Sequence, residues 1–364
     1  MRNKVKIVMK PDFENCILNV TSSIMAHFGI NSPYKANEQV LLKLKNAKHI
    51  FLVILDGLGK NIIEKNLSSS SFIRTHLTDW ISTVFPPTTV AATTSALSGL
   101  APGETGWIGW HQYFKDIDED VVLFRNFTQV GNVPMPFIVT DRFIPYQPFY
   151  EKFNNVSTKE LYPGFKKDGF STFKEMGEEI IRISHSSENT YTYCYWDNPD
   201  KLLHEYGTTD SLVKQTIQTI DNELDSIYQS LGPDSTLIMI ADHGLVDTSN
   251  LYLVDYPDIV ACLKRRPTIE TRTCSFEVND LDKFKELFNK YFGKWFTLYD
   301  KDTFLQMGYL GSNYQKAIPY LGDYIAIAID QYCLCYEPSD TVFKANHAGG
   351  MKEEMIVPLV ILAK

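Results

Sequence analysis

The chain has 364 residues, 13% of them aromatic, and a formal net charge of -9. That length buries a large core, either as one α/β unit or as a core with an elaboration. The acidic balance excludes a broad phosphate-binding face for duplex nucleic acid, which needs clustered Lys and Arg; the KRR run at Lys264 to Arg266 is an isolated turn.

The first sixteen residues, MRNKVKIVMKPDFENC, show no apolar signal region and no small-residue cleavage site. No stretch reaches 18 consecutive apolar residues, so no ordinary transmembrane helix is expected. Cys16, Cys194, Cys262, Cys274, Cys333 and Cys335 lack CxxC spacing, and free buried thiols in the cytoplasm are the expectation.

HIFLVIL (His49 to Leu55) is a continuous apolar run and reads as a buried strand ending in Asp56-Gly57, with a helix from about Lys60. LSSSS (Leu67 to Ser71) reads as a surface loop. WISTVF is strand-like and stops at Pro86-Pro87, after which Thr88-Thr89 open the small-residue helix VAATTSALSG. NTYTYCYW is a strand, and Asp200 and His204 follow it four residues apart, so one helical turn brings both side chains to one face. Thr209 to Leu231 carries an amphipathic helical pattern. LIMIA then reads as a buried strand that ends abruptly on Asp242-His243. Strands alternating with helices predict a three-layer α/β/α unit whose central sheet is mostly parallel.

Between about 250 and 320 the texture changes. TRTCSFEV, DLDKFKELFNKYFG and KWFTLYD predict a small strand-helix-strand α+β insertion on the edge of the main sheet. The core then comprises 1–249 and 321–364, resuming with DYIAIAI, YCLCYE, the loop NHAGG with His347, and a closing strand MIVPLVILA.

Asp, His or a hydroxyl therefore recurs at or beyond successive strand ends, where α/β sheets keep their active sites. Taken singly, Asp56 is a turn former, Thr89 a helix cap, Asp200 a cap after Pro199, and His204 a half-buried helix residue. The Asp242-His243 pair resists such a reading, because folding alone asks for neither residue at the end of a buried strand. Three carboxylates and three imidazoles (His204, His243, His347) on one sheet edge make O/N ligand sets that suit Zn²⁺. Such a set holds two ions at about 3.5–4 Å, the spacing used for in-line displacement at phosphorus. His27, His49, His76, His111 and His185 are read as structural.

The ordered motifs LDGLG, FPPTTVAATTSALSGLAPGETG, NPDKLLHEYG, ADHG and NHAGG resemble the alkaline phosphatase superfamily, and within it the nucleotide pyrophosphatase/phosphodiesterase family. The resemblance runs from about residue 48 to the C-terminus and is weakest over 250–320. It implies an alkaline-phosphatase-like fold and a small phosphoester or nucleotide substrate. It makes Thr89 the nucleophile, giving a phospho-threonine intermediate. One divalent ion would take Asp200, His204 and His347; the other would take Asp56, Asp242 and His243, with the Thr89 oxygen as a further ligand. Zn²⁺ is the expected ion, and Mn²⁺ also suits such ligands.

One position departs from the pattern. The phosphodiesterase branch carries an asparagine that donates to a phosphoryl oxygen shortly after the glycine matching Gly106; an ungapped count puts Trp110 there. The indole N–H, His111 or a backbone N–H are the candidate replacements. No Arg or Lys lies between Trp80 and His111, which favours diesters or pyrophosphates over dianionic monoesters unless a base such as Lys201 intervenes. Trp107, Trp110, Tyr113, Phe114 and Trp196 could stack a nucleobase or simply pack. Phosphonoacetate-type phosphonate hydrolysis and phosphomonoester hydrolysis remain alternatives, as does a non-catalytic zinc or nucleotide sensor. No CxPxR-type motif supports a sulfatase.

Overall fold

The structure, a computed structural model, describes residues 8–364. The expectation of a leaderless start rests partly on residues 1–7, which lie outside the described residues. The main sheet has six strands among them, in spatial order Leu77–Ser82, Ile356–Ala363, Ser235–Ile240, His49–Leu55, Thr190–Trp196 and Ser157–Leu161. The last four run parallel, and Ile356–Ala363 is antiparallel to both its neighbours. Every residue of His49–Leu55, Thr190–Trp196 and Ser235–Ile240 is buried, as expected of strands covered on both faces. Each large apolar side chain so buried contributes about 1.5–3 kcal/mol.

Two groups of helices supply the covering layers. Ile17–His27 packs on Glu38–Leu44 and Thr89–Ser98, while Ser211–Ser230 packs on Phe173–Ser184, Phe72–Thr75 and Lys60–Asn66. The expected long amphipathic helix is Ser211–Ser230, capped by the Asp210 side chain, which accepts the Leu212 N–H.

Register decides where the chemistry lies. Leu55 pairs with Trp196 and Ile54 with Ile240, so three parallel strands end at one level. Ile356 pairs with Ser82, so the closing strand begins, and the Leu77–Ser82 strand ends, at that same edge. Five chain segments thus deliver Asp56, Thr89, Asp200, Asp242-His243 and His347 to one edge.

The region after 250 departs from expectation. Its strands do not sit on the edge of the main sheet. They join a second, seven-stranded sheet in the order Phe296–Asp300, Tyr324–Ala328, Thr273–Phe276, Thr268–Ile269, His111–Phe114, Glu119–Val122 and Phe127–Thr128. DYIAIAI, expected to resume the core after 320, lies inside this sheet, paired with Thr273–Phe276 and Phe296–Asp300. The reason is packing. Thr273–Phe276 is buried throughout, and Phe284, Phe288 and Phe292 of helix Leu281–Phe292 close over Phe276, Phe296 and Tyr324. YCLCYE pairs elsewhere again, with Ser249–Tyr252.

Candidate active site

Asp56 leaves its strand with its N–H held by the Trp196 carbonyl, and its carboxylate is buried. Gly57 turns the chain at φ +74, where a side chain would be strained, and a Cβ there would come within 2.9 Å of the Asp200 Cβ. Its N–H donates to Asp242 Oδ1 at 3.0 Å, and the Asp200 N–H donates to the Asp56 carbonyl at 3.0 Å. The glycine of LDGLG is therefore what lets three acidic residues approach one another.

Thr89 is the first residue of helix Thr89–Ser98 and is nine-tenths buried. Its Oγ1 lies 3.2 Å from His243 Nε2 and 3.4 and 3.5 Å from the two Asp56 carboxylate oxygens. His243 Nε2 lies 3.3 Å from Asp56 Oδ1 and 3.5 Å from Asp242 Oδ2, and its Nδ1 lies 3.2 Å from the Gly244 carbonyl. The His243 and His347 rings stack at 3.9 Å. His347 Nδ1 lies 3.2 Å from the Pro87 carbonyl, and His204 Nδ1 lies 2.7 Å from the Ala345 carbonyl. Both histidines thus turn Nε2 inward, the way outer hydrogen bonds orient metal-ligating imidazoles.

All seven residues singled out in the sequence come to this edge. Two sets of ligand atoms cluster within 4.8 Å of one another: Asp56, Asp242 and His243, and Asp200, His243 and His347. The first set is the expected one. In the second, His243 stands where His204 was expected; His204 touches Asp200 Oδ2 through Nε2 at 3.3 Å, with its ring 5.3 Å from that of His347. Asp242 Oδ2 and Asp200 Oδ1 are buried and have no hydrogen-bond partner among the described residues. Orphaned carboxylate oxygens carry a steep desolvation cost that a cation offsets, so the residues present fit divalent ions.

The electrostatics show the same crowding. Burial, then the Asp242 and Asp200 charges, push the Asp56 carboxyl well above the usual range. Burial also opposes ionisation of Asp200, but His204, His347 and His243 together hold its carboxyl below the usual value. Burial opposes charging of His204, yet Asp200 raises its pKa; burial and His243 drive that of His347 well down.

Two contributors escaped the sequence reading. The Tyr195 hydroxyl donates to Asp56 Oδ2. Glu270 approaches from the second sheet and takes the Thr88 hydroxyl at 2.6 Å and the Trp110 N–H at 2.9 Å. Burial pushes its carboxyl up, and Thr88, His111, the Trp110 N–H and His243 pull it back. The alternation of NTYTYCYW and the capping habit of Thr88 were the only signals available for either.

The candidate donors around Trp110 are mostly committed. His111 Nδ1 sits 2.9 Å from Asp120, and the Trp110 backbone N–H is held by Glu270. The Trp110 indole N–H has no hydrogen-bond partner among the described residues, and Arg125 lies 5.9 Å from that ring. Trp107 is core, its indole N–H donating to the Ile144 carbonyl, and Trp196 packs on Phe173. Phe114 is also buried, and Tyr113 lies under Arg265. Lys201 is exposed. The exposed rings beside the cluster are instead Phe343, 4.4 Å from the His204 ring, and Phe165, 6.1 Å from the Tyr195 ring. A cavity of about 430 Å3 between Phe114, Lys301 and Asp323 contributes nothing to the cluster.

Residues 50–341 match the family model of type I phosphodiesterase / nucleotide pyrophosphatase. The chain belongs to that family. As a member of the type I phosphodiesterase / nucleotide pyrophosphatase family it is a hydrolase. No curated protein sequence matches it. Among solved structures, murine ectonucleotide pyrophosphatase / phosphodiesterase 5, an inactive variant in complex with AMP, is similar over 85% of this chain and 87% of its own, at 17% identity and a TM-score of 0.65. The human protein of the same name is similar over 86% and 88%, with the same identity and TM-score. At that identity the likeness shows the shared fold, the mostly parallel α/β core of this family.

Proposed function

We propose that this family member cleaves phosphodiester or nucleotide pyrophosphate bonds through a covalent phosphoryl-Thr89 intermediate, with two divalent ions held at the sheet edge. The observation that carries the reading is the position of Thr89 Oγ1, at a helix start and 3.2–3.5 Å from His243 and Asp56. A capping hydroxyl has no need of that company.

Asp56, Asp242 and His243 would hold one ion beside Thr89. Asp200 and His347 would hold the other, with His204 completing it and orienting Asp200. Zn²⁺ suits this oxygen and nitrogen set, and Mn²⁺ is accommodated by the same ligands. When bound, the ions supply positive charge that favours ionised oxygen nucleophiles and offsets charge on the phosphoryl oxygens. The chain does the rest. Helix Thr89–Ser98 points its N-terminal partial charge at the phosphoryl group, and its start fixes the line of attack. The Thr89 oxygen bonds to phosphorus as the leaving alcohol or phosphate departs and takes up the proton that the hydroxyl gives up, and water later cleaves the Thr89 ester to release the retained half and restore the hydroxyl. Phe343 and Phe165 offer apolar faces to an aromatic or nucleoside group, in line with the AMP bound by the murine relative. A cytoplasmic location is part of this proposal; five of the six cysteines are buried, where thiols pack as small apolar groups.

The test is turnover of bis-p-nitrophenyl phosphate by metal-loaded protein, run beside p-nitrophenyl phosphate, a dinucleotide pyrophosphate and phosphonoacetate. The diester or pyrophosphate should be the preferred substrate. Turnover of phosphonoacetate alone would assign a phosphonate hydrolase, and no turnover with retained metal binding would assign a sensor.

A further inference from the structure

Glu270 is carried to the site by the hairpin that joins Thr268–Ile269 to Thr273–Phe276. Ile269, a β-branched residue, is held at φ +84, a conformation such side chains avoid. It is accommodated because residue 109 is glycine: a Cβ there would lie 2.5 Å from Ile269 Cγ2. The strained turn presents Glu270 to two groups that matter, the hydroxyl of Thr88, next to the nucleophile, and the N–H of Trp110. Both bonds fall on Oε1. Oε2 has no hydrogen-bond or ion-pair partner among the described residues. The carboxylate lies within electrostatic reach of His204 and His243, so its charge is felt at the site.

We propose that Glu270 is a specificity residue that selects phosphoryl groups carrying one negative charge, as in diesters and dinucleotide pyrophosphates, over dianionic monoesters. This rests on the phosphodiesterase reading above. The physical basis is simple. A fixed negative group beside the nucleophile opposes a second charge on the substrate phosphorus more than a first, and the opposition is strong in a partly buried site. No Arg or Lys between Trp80 and His111 relieves it. Through Oε1, the same residue also aligns the helix start with the Trp110 loop.

Glu270→Gln keeps an oxygen acceptor for both bonds and removes the charge, whereas Glu270→Ala removes both. On metal-loaded protein, the kcat/KM ratio of p-nitrophenyl phosphate to bis-p-nitrophenyl phosphate should rise about tenfold in Glu270→Gln. Inorganic phosphate, measured by calorimetry without turnover, should bind that variant about tenfold more tightly than it binds the parent. Glu270→Ala should show a lower kcat for the diester than Glu270→Gln, because alignment is lost as well. An unchanged ester ratio and an unchanged phosphate Kd in Glu270→Gln would overturn the proposal. Should the parent turn over neither ester, the phosphodiesterase reading fails, and the phosphate Kd alone still decides whether Glu270 repels dianions.

Discussion

Thr89 and Asp56 show how much a single side chain depends on its supports. Burial opposes ionisation of the Asp56 carboxyl, and the Tyr195 hydroxyl supports it by donating to Oδ2. Groups that orient a ligand from behind typically tune metal affinity by about 10–100-fold. Tyr195→Phe should therefore lose bound metal in chelator-buffered dialysis at about tenfold lower chelator strength than the parent. Metal retention equal to the parent's would show that Asp56 needs no such partner. The sequence made Asp56, Asp242 and His243 legible because each interrupts an apolar run where folding asks for none. Tyr195 could not be read in that way: in a wholly buried strand, an inward tyrosine is ordinary core.

Among elements, the loop carrying His347 is held by the second sheet. Arg272 is fully buried and pairs with Glu354 through two bonds of 2.7 and 2.8 Å. Glu354 in turn accepts the N–H groups of Gly349 and Met351, and Thr273 donates to the Ala348 carbonyl at 2.5 Å. Ala348 itself sits at φ +77, a conformation that needs such over-determination. Arg272→Met strands the Glu354 charge and should cost about 3–5 kcal/mol in denaturant unfolding, while pairing it with Glu354→Leu should recover much of that loss. A single variant as stable as the parent would contradict the clamp. This sheet was the least legible element, for a physical reason. Its strands are short and pair across long separations, as Ile269 does with His111, and periodicity within a strand carries no information about such partners. Glu270 was hidden with it, since 182 residues separate it from Thr88 along the chain.

At the scale of the whole molecule, the central strands of the main sheet were readable because they are apolar and separated by helices, whereas the edge strand Ser157–Leu161, polar and largely exposed, went unread. The edge that carries the candidate site followed from their common direction. What the fold then assembles is a concentration of buried negative charge, with two carboxylate oxygens that have no hydrogen-bond partner among the described residues, which bound cations would relieve. Loading with Zn²⁺ or Mn²⁺ at about 100 times Kd should stabilise the protein by about 2.7 kcal/mol, seen as a rise in Tm that a chelator reverses. Thr89→Ala should keep most of that rise, because the carboxylates and imidazoles remain. A Tm indifferent to metal and chelator would mean that the cluster is not a cation site.

The central claim is that Thr89 becomes covalently attached to phosphorus. Metal-loaded protein mixed with a chromogenic diester, quenched in acid within the first turnover and digested, should yield the Thr89 peptide heavier by the substrate less its leaving alcohol. Thr89→Ala should give no adduct and lose turnover by on the order of 10³-fold or more. Full turnover by Thr89→Ala, or an adduct on any other residue, would contradict the account.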